Sequence, residues 1–191
     1  MQPIYIEEKA FDKCDFTKNS LSKGEYELCV FKNCDFSNSD LSGIKFIECK
    51  FTECNLSMAR LAKTVFRDVD FRECKMLGLT FSHLNEYGFT ACFVGCNLAS
   101  CSFFRTKIKK ATFSNSSFKE ADFTGCDLSG SVFENCDFAG AKFESTICEK
   151  VDFGTSFNYS IDPVTNRVRG AKFSLQGLPG LLDKYDIKIE Y

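Results

Sequence analysis

Cysteine is the residue in this chain with the most chemistry to offer. There are 12, at Cys14, Cys29, Cys34, Cys49, Cys54, Cys74, Cys92, Cys96, Cys101, Cys126, Cys136 and Cys148, beside a single histidine, His83. Thiols in that number could form a disulfide scaffold, hold zinc or run redox exchange. No C-x-x-C occurs, and His83 is far in sequence from most of the thiols. One His and no Trp leave few residues for metal or general-base work. No nucleophile, base and orienting group can be assembled unless acids do everything. The acids that recur before Leu or Phe, such as Asp35, Asp70 and Asp127, read as polar surface and turn residues. The expectation is therefore no enzyme, no cofactor and no metal, with free Cys acting as a small hydrophobe in an interior.

The spacing of the Phe residues shows what that interior is. Stepping by five from Phe11 meets a large apolar residue fifteen times in succession, ending at Phe81. The phase then slips by two and resumes at Phe93, running through Phe103, Phe113, Phe123, Phe133 and Phe143 to Phe153. Of the 22 Phe, only Phe89, Phe104 and Phe157 lie off this ladder. Two residues before each ladder position sits a second, mostly small series that holds ten of the 12 Cys. The remaining positions are largely polar. Five matches neither the helical period of 3.6 nor the strand period of 2. It calls for a solenoid with five-residue walls, each turning one large and one small side chain inward. Four walls make a turn of twenty, and Phe11, Phe31, Phe51 and Phe71 then form one column. A two-residue bulge near 82–92 keeps Phe93, Phe113, Phe133, Phe153 and Phe173 in that column. The bulge carries His83, Asn85, Glu86 and Tyr87 and is expected to be exposed. On this reading 1–10 is an N-terminal cap, 11–173 the solenoid and 174–191 a C-terminal module.

Composition narrows the function. A net charge of −2 excludes a dominant basic footprint for nucleic acid. No run of 18 apolar residues is present to span a membrane, and the first residues do not read as a secretory signal. An interior full of thiols suits a reducing compartment, so a cytoplasmic location is expected.

The units Ala121-Asp122-Phe123-Thr124-Gly125, Cys126-Asp127-Leu128-Ser129-Gly130 and Cys136-Asp137-Phe138-Ala139-Gly140 resemble the pentapeptide-repeat consensus. That resemblance implies an all-β solenoid, a right-handed quadrilateral β-helix. The ending, Leu178-Pro179-Gly180-Leu181-Leu182-Asp183-Lys184-Tyr185 followed by alternating Ile187, Ile189 and Tyr191, is similar to that of the Qnr-type quinolone-resistance branch. There a short C-terminal helix and strand join two rods tail to tail. The resemblance implies a homodimer through Leu178, Leu181, Leu182, Tyr185, Ile187 and Ile189. It also implies a rod that meets gyrase or topoisomerase IV as a DNA mimic. Mimicry needs an acidic surface, and residues 119–163 hold nine acids against three bases. The candidate partner-binding face is Glu120, Asp122, Asp127, Glu134, Asp137, Glu144, Glu149 and Asp152. Charge reversal at Glu134, Asp137 and Glu144 is expected to leave the fold intact, because these positions flank the inward series. The alternative is a scaffold for some other protein partner.

Overall fold

The computed structural model describes residues 4–84 and 89–188. Within them the chain is a parallel β-solenoid of about eight turns with almost no helix. Each turn visits four sides. The first side begins as a four-stranded sheet of Ile4–Glu7, Gly24–Glu27, Lys45–Ile47 and Val65–Arg67. The second is a nine-stranded sheet running from Ala10–Asp12 to Lys172–Phe173. The third and fourth are columns of isolated parallel bridges, such as Asp15↔Asp35↔Asn55↔Lys75 and Ser102↔Asp122↔Lys142.

The register shows why a period of five folds this way. Strand partners sit one turn apart, as in Phe31↔Phe51 and Phe113↔Phe133, so identical side chains stack. Phe11 and Phe31 are stacked 4.7 Å apart between ring centroids, Phe51 and Phe71 5.0 Å, and Phe113 and Phe133 4.8 Å, with ring planes 3°, 21° and 3° from parallel. Across a corner the rings meet edge to face, as Phe46 meets Phe51 at 5.2 Å. Both arrangements suit the ring quadrupole. Every ladder residue from Phe16 to Phe81 and from Phe93 to Phe153 is buried, whereas Phe11 and Phe173, at the two ends, are only half-buried.

The phase slip is visible as a change of register. Lys63 donates its N–H to the His83 carbonyl, twenty residues on, at 2.7 Å. Val69 then pairs with Ala91 and Phe71 with Phe93, twenty-two on, after which Phe93 pairs with Phe113. The extra residues leave the all-Phe column unbroken (ring centroids of Phe71 and Phe93 are 5.0 Å apart). Phe89, off the ladder, packs half-buried against the core. His83 is exposed as expected; Asn85, Glu86 and Tyr87 lie outside the described residues.

Most corners are made by the residue two after a ladder position, which takes positive φ at Asn33, Asn38, Gly125, Gly140 and many equivalent positions. That conformation crowds a Cβ, so Gly and Asn suit it. The Asp or Asn before many ladder residues closes the same turn. Asp35 accepts the Ser37 N–H at 2.8 Å and Asp122 that of Thr124 at 2.9 Å.

The pattern changes after Phe153. Asn158 and Pro163 are exposed, and Tyr159 and Ile161 fill the interior instead. The expected C-terminal helix is two short 3-10 turns, Leu178–Leu181 and Asp183–Tyr185. They lie against Tyr159 through two glycines. A Cβ on Gly180 would collide with the Tyr159 carbonyl oxygen, and one on Gly177 with its hydroxyl. The Ile161 N–H donates to the Gly180 carbonyl at 2.8 Å, and Lys184 pairs with Asp162 at 2.6 Å. Of the expected strand, Ile187 and Lys188 belong to no strand, and 189–191 lie outside the described residues.

Candidate binding surfaces

The cysteines other than Cys92 face inward, as their spacing requires. Cys29, Cys34, Cys49, Cys54, Cys74, Cys96, Cys101, Cys126 and Cys136 are buried, and Cys14 is half-buried in the first complete turn. All 12 are free thiols. Their role exceeds that of a small hydrophobe. Cys49 donates to the Tyr26 carbonyl at 3.2 Å and Cys54 to that of Phe31 at 3.3 Å, in the turn before. Thr64 and Ser131 make the same bond to Leu41 and Ile108, each at 2.8 Å. The position takes mostly small side chains, Ala59 and Ala121 among them, and Cys, Ser or Thr there adds this bond. Burial pushes the thiols of Cys34, Cys49, Cys101 and Cys148 up to about 12, so at neutral pH they rest in the protonated form. Among the described residues no group of three or more His, Cys, Asp or Glu could hold a metal ion.

The eight candidate carboxylates do not share one face. The pairing register puts Glu134 and Asp152 on the second side, Asp137 on the third, Asp122 on the fourth and Asp127 on the first. Glu120, Glu144 and Glu149 follow the third, fourth and first sides. The acids form a belt around the rod because the chain changes side every five residues. Several are already engaged. Asp127 pairs with Lys109 at 2.9 Å, Asp137 with Lys119 at 3.2 Å and Asp152 with Lys172 at 3.0 Å. Burial alone would raise the Asp127 carboxyl, but Ser129 and Lys109 hold it below the ordinary value. Burial acts the same way on Asp137 and is outweighed by Asn158, the Ala139 N–H and Lys119. Asp137 is thus a structural residue, and its reversal would break a turn, contrary to the expectation from its position. Glu134 and Glu144 are exposed and carry no such burden.

Two surface features are not obvious from the linear sequence. On the first side, Glu7, Glu8, Glu25 and Glu27 occupy the first two turns, whereas exposed Lys107, Lys109, Lys110, Arg167 and Arg169 lie toward the other end. Stepping by twenty is the signal that would have shown it. At the C-terminal end, Leu178, Tyr185 and Ile187 are exposed as expected, but Leu181 packs on the rod's own core and Leu182 is half-buried. Val164 and Leu175, in the same C-terminal stretch, are 75 and 77% exposed. Ile189 lies outside the described residues.

A four-sided parallel solenoid with one large and one small inward residue per wall is a pentapeptide-repeat architecture. The chain belongs to the pentapeptide-repeat family: one model, "Pentapeptide repeat region", matches 25–90, and another, "Pentapeptide repeats (8 copies)", matches 116–155. Among solved structures, full-length QnrB1, a plasmid-mediated fluoroquinolone resistance protein, is similar with a TM-score of 0.57 and 21% identity, covering 96% of this chain and all of that one. A trypsin-treated form of QnrB1 gives 0.65 and 22%, covering 98% of this chain and all of that one. HetL, a pentapeptide-repeat protein involved in heterocyst differentiation regulation from the cyanobacterium Nostoc sp. Strain PCC 7120, gives 0.60 and 15%, covering 91% of this chain and 88% of that one. No curated protein matches the sequence. Among the described residues no helix is long and apolar enough to cross a membrane.

Proposed function

We propose that this protein is a non-catalytic binding rod whose partner is a type II topoisomerase, gyrase or topoisomerase IV, and that it acts in the cytoplasm as a homodimer. The observation that carries the binding role is the acidic belt of the C-terminal half. It places Glu134, Glu144 and Glu149 outward on a regular parallel stack. A rod with acidic side chains on every side offers a basic DNA-binding groove charge to meet from any rotation. The full-length likeness to QnrB1 directs the choice of partner, and with it protection against quinolones. The dimer uses the C-terminal end, where Val164, Leu175, Leu178, Tyr185 and Ile187 are each exposed in the single chain.

The test is gyrase supercoiling with and without ciprofloxacin, titrated with this protein, and a gyrase pull-down at low and high salt. Binding that weakens with salt, and weakens again in the Glu134→Lys, Glu144→Lys, Glu149→Lys variant, is expected. A well-folded protein that neither binds gyrase nor alters supercoiling overturns the assignment. It leaves the second reading, a scaffold for another protein, which the ion-paired aspartates of the belt favour. Sedimentation of a Leu175→Glu, Ile187→Glu variant tests the dimer, since neither residue is buried.

A further inference from the structure

We infer that Cys14 and Cys34 form an oxidation site, closing to a disulfide that staples the first two turns when the rod meets a hydroperoxide. Cys14, Cys34, Cys54, Cys74 and Cys96 stand in one vertical column at the start of the third side. The bridges Asp15↔Asp35, Asp35↔Asn55, Asn55↔Lys75 and Lys75↔Asn97 set their register. Parallel neighbours in such a column lie ~4.8 Å apart at Cα. A disulfide takes Cα separations of roughly 4.4–6.8 Å. The Asp35 N–H donates to the Cys14 carbonyl at 2.9 Å, which fixes the two residues one above the other.

Only the first pair combines this geometry with access and freedom to move. Cys14 is half-buried, whereas Cys34, Cys54, Cys74 and Cys96 are at most 2% exposed. Interior turns are held from both sides, so drawing two thiols together would strain two further sheet contacts. At Cys14 the column ends, and the adjustment costs packing on one side only. Cys92, the other half-buried thiol, has no such neighbour. It stands outward on the second side between Asp70 and Thr112, its register partners. Oxidation there has no thiol above or below to resolve it.

The chemistry balances with a hydroperoxide as the oxidant. The Cys14 thiolate attacks one peroxide oxygen. The O–O bond breaks, its electron pair leaves with the distal oxygen, and that oxygen is protonated to an alcohol or water. The resulting Cys14 sulfenic acid is attacked at sulfur by Cys34. The S–O bond breaks, the oxygen leaves as water with the Cys34 proton, and the S–S bond forms. Two thiols are oxidised and one peroxide bond is reduced.

The experiment is hydrogen peroxide treatment of the native full chain, then alkylation in denaturant and peptide mapping. The free-thiol count should fall by two, with the linkage mapped to Cys14 and Cys34 and reversed by reductant. Cys34→Ser should stop the reaction at a Cys14 sulfenic acid that dimedone traps. Ser is accommodated in this column at Ser116, so that variant keeps the fold. Cys54→Ser should form the Cys14–Cys34 link unchanged. An unchanged thiol count, a link between Cys54 and Cys74 instead, or Cys14 over-oxidised beside a free Cys34 each overturn the proposal.

Discussion

The middle of the rod and its C-terminal end obey different rules. Between Phe16 and Phe153 the role of a side chain follows from its position within five residues. Phe51, for example, is stacked on Phe31 at 4.7 Å and on Phe71 at 5.0 Å. After Phe153 that rule lapses. Phe173 has one ring stacked above it, Phe153 at 5.5 Å, and Tyr159 set at an angle beside it. Repetition supplies stability only where a turn has neighbours on both sides. An end must be closed by contacts particular to it, and here these are Tyr159, Ile161 and two glycines.

The largest expected effect lies in the middle. Phe51→Ala should cost roughly 3–5 kcal/mol, because its stacked neighbours hold the cavity open. Phe173→Ala, at a half-buried site, should cost clearly less. Denaturant unfolding of both variants measures the contrast, and equal losses would contradict it.

A smaller effect is expected from Gly180→Ala. The added methyl would meet the Tyr159 carbonyl oxygen, which the Ile161–Gly180 hydrogen bond keeps close. Overpacking of this kind costs about 1–3 kcal/mol. Hydrogen exchange should show lost protection confined to 159–185 with the rod unchanged. Loss throughout the rod would mean that the end module supports every turn.

The smallest effect concerns acid. Asp15 is held down to about 2 by Lys18 and Thr17, and Asp40 to about 2 by Ser42 with Lys23 further off. Both start from an ordinary value of 3.8, so folding lowers them. A depressed carboxylate stabilises the fold above its unfolded value and loses that contribution as pH falls through its folded one. Stability should therefore decline between about pH 4 and 2. Asp40→Asn should flatten the decline, as followed by near-UV circular dichroism against pH. A curve identical to the unmodified protein would show that these turns do not contribute.

Much of the molecule is legible in the order of its residues. A strict period of five, a small residue two places earlier and a slip of two at Phe93 already imply the column, its inward Cys and the register of twenty. Asp35 and Asp127 could likewise be read as turn residues, and both are. The reason is that stacking makes every turn the same local problem, so one unit repeated carries the solution. What only the tertiary structure decided is whatever compares different sides or different ends. Acids contiguous in sequence became a belt because the chain turns a corner every five residues. Lys107 and Arg167, sixty residues apart, share a side because three turns return to it. Tyr159, one place past the ladder, became core, while Asn158 stayed at the surface and donates to Asp137 at 2.8 Å. Leu181 packs on the core while Leu178, three residues earlier, stays exposed, a difference that their spacing does not encode. Linear spacing encodes contacts between equivalent positions; contacts between unlike ones exist only once the chain has closed on itself.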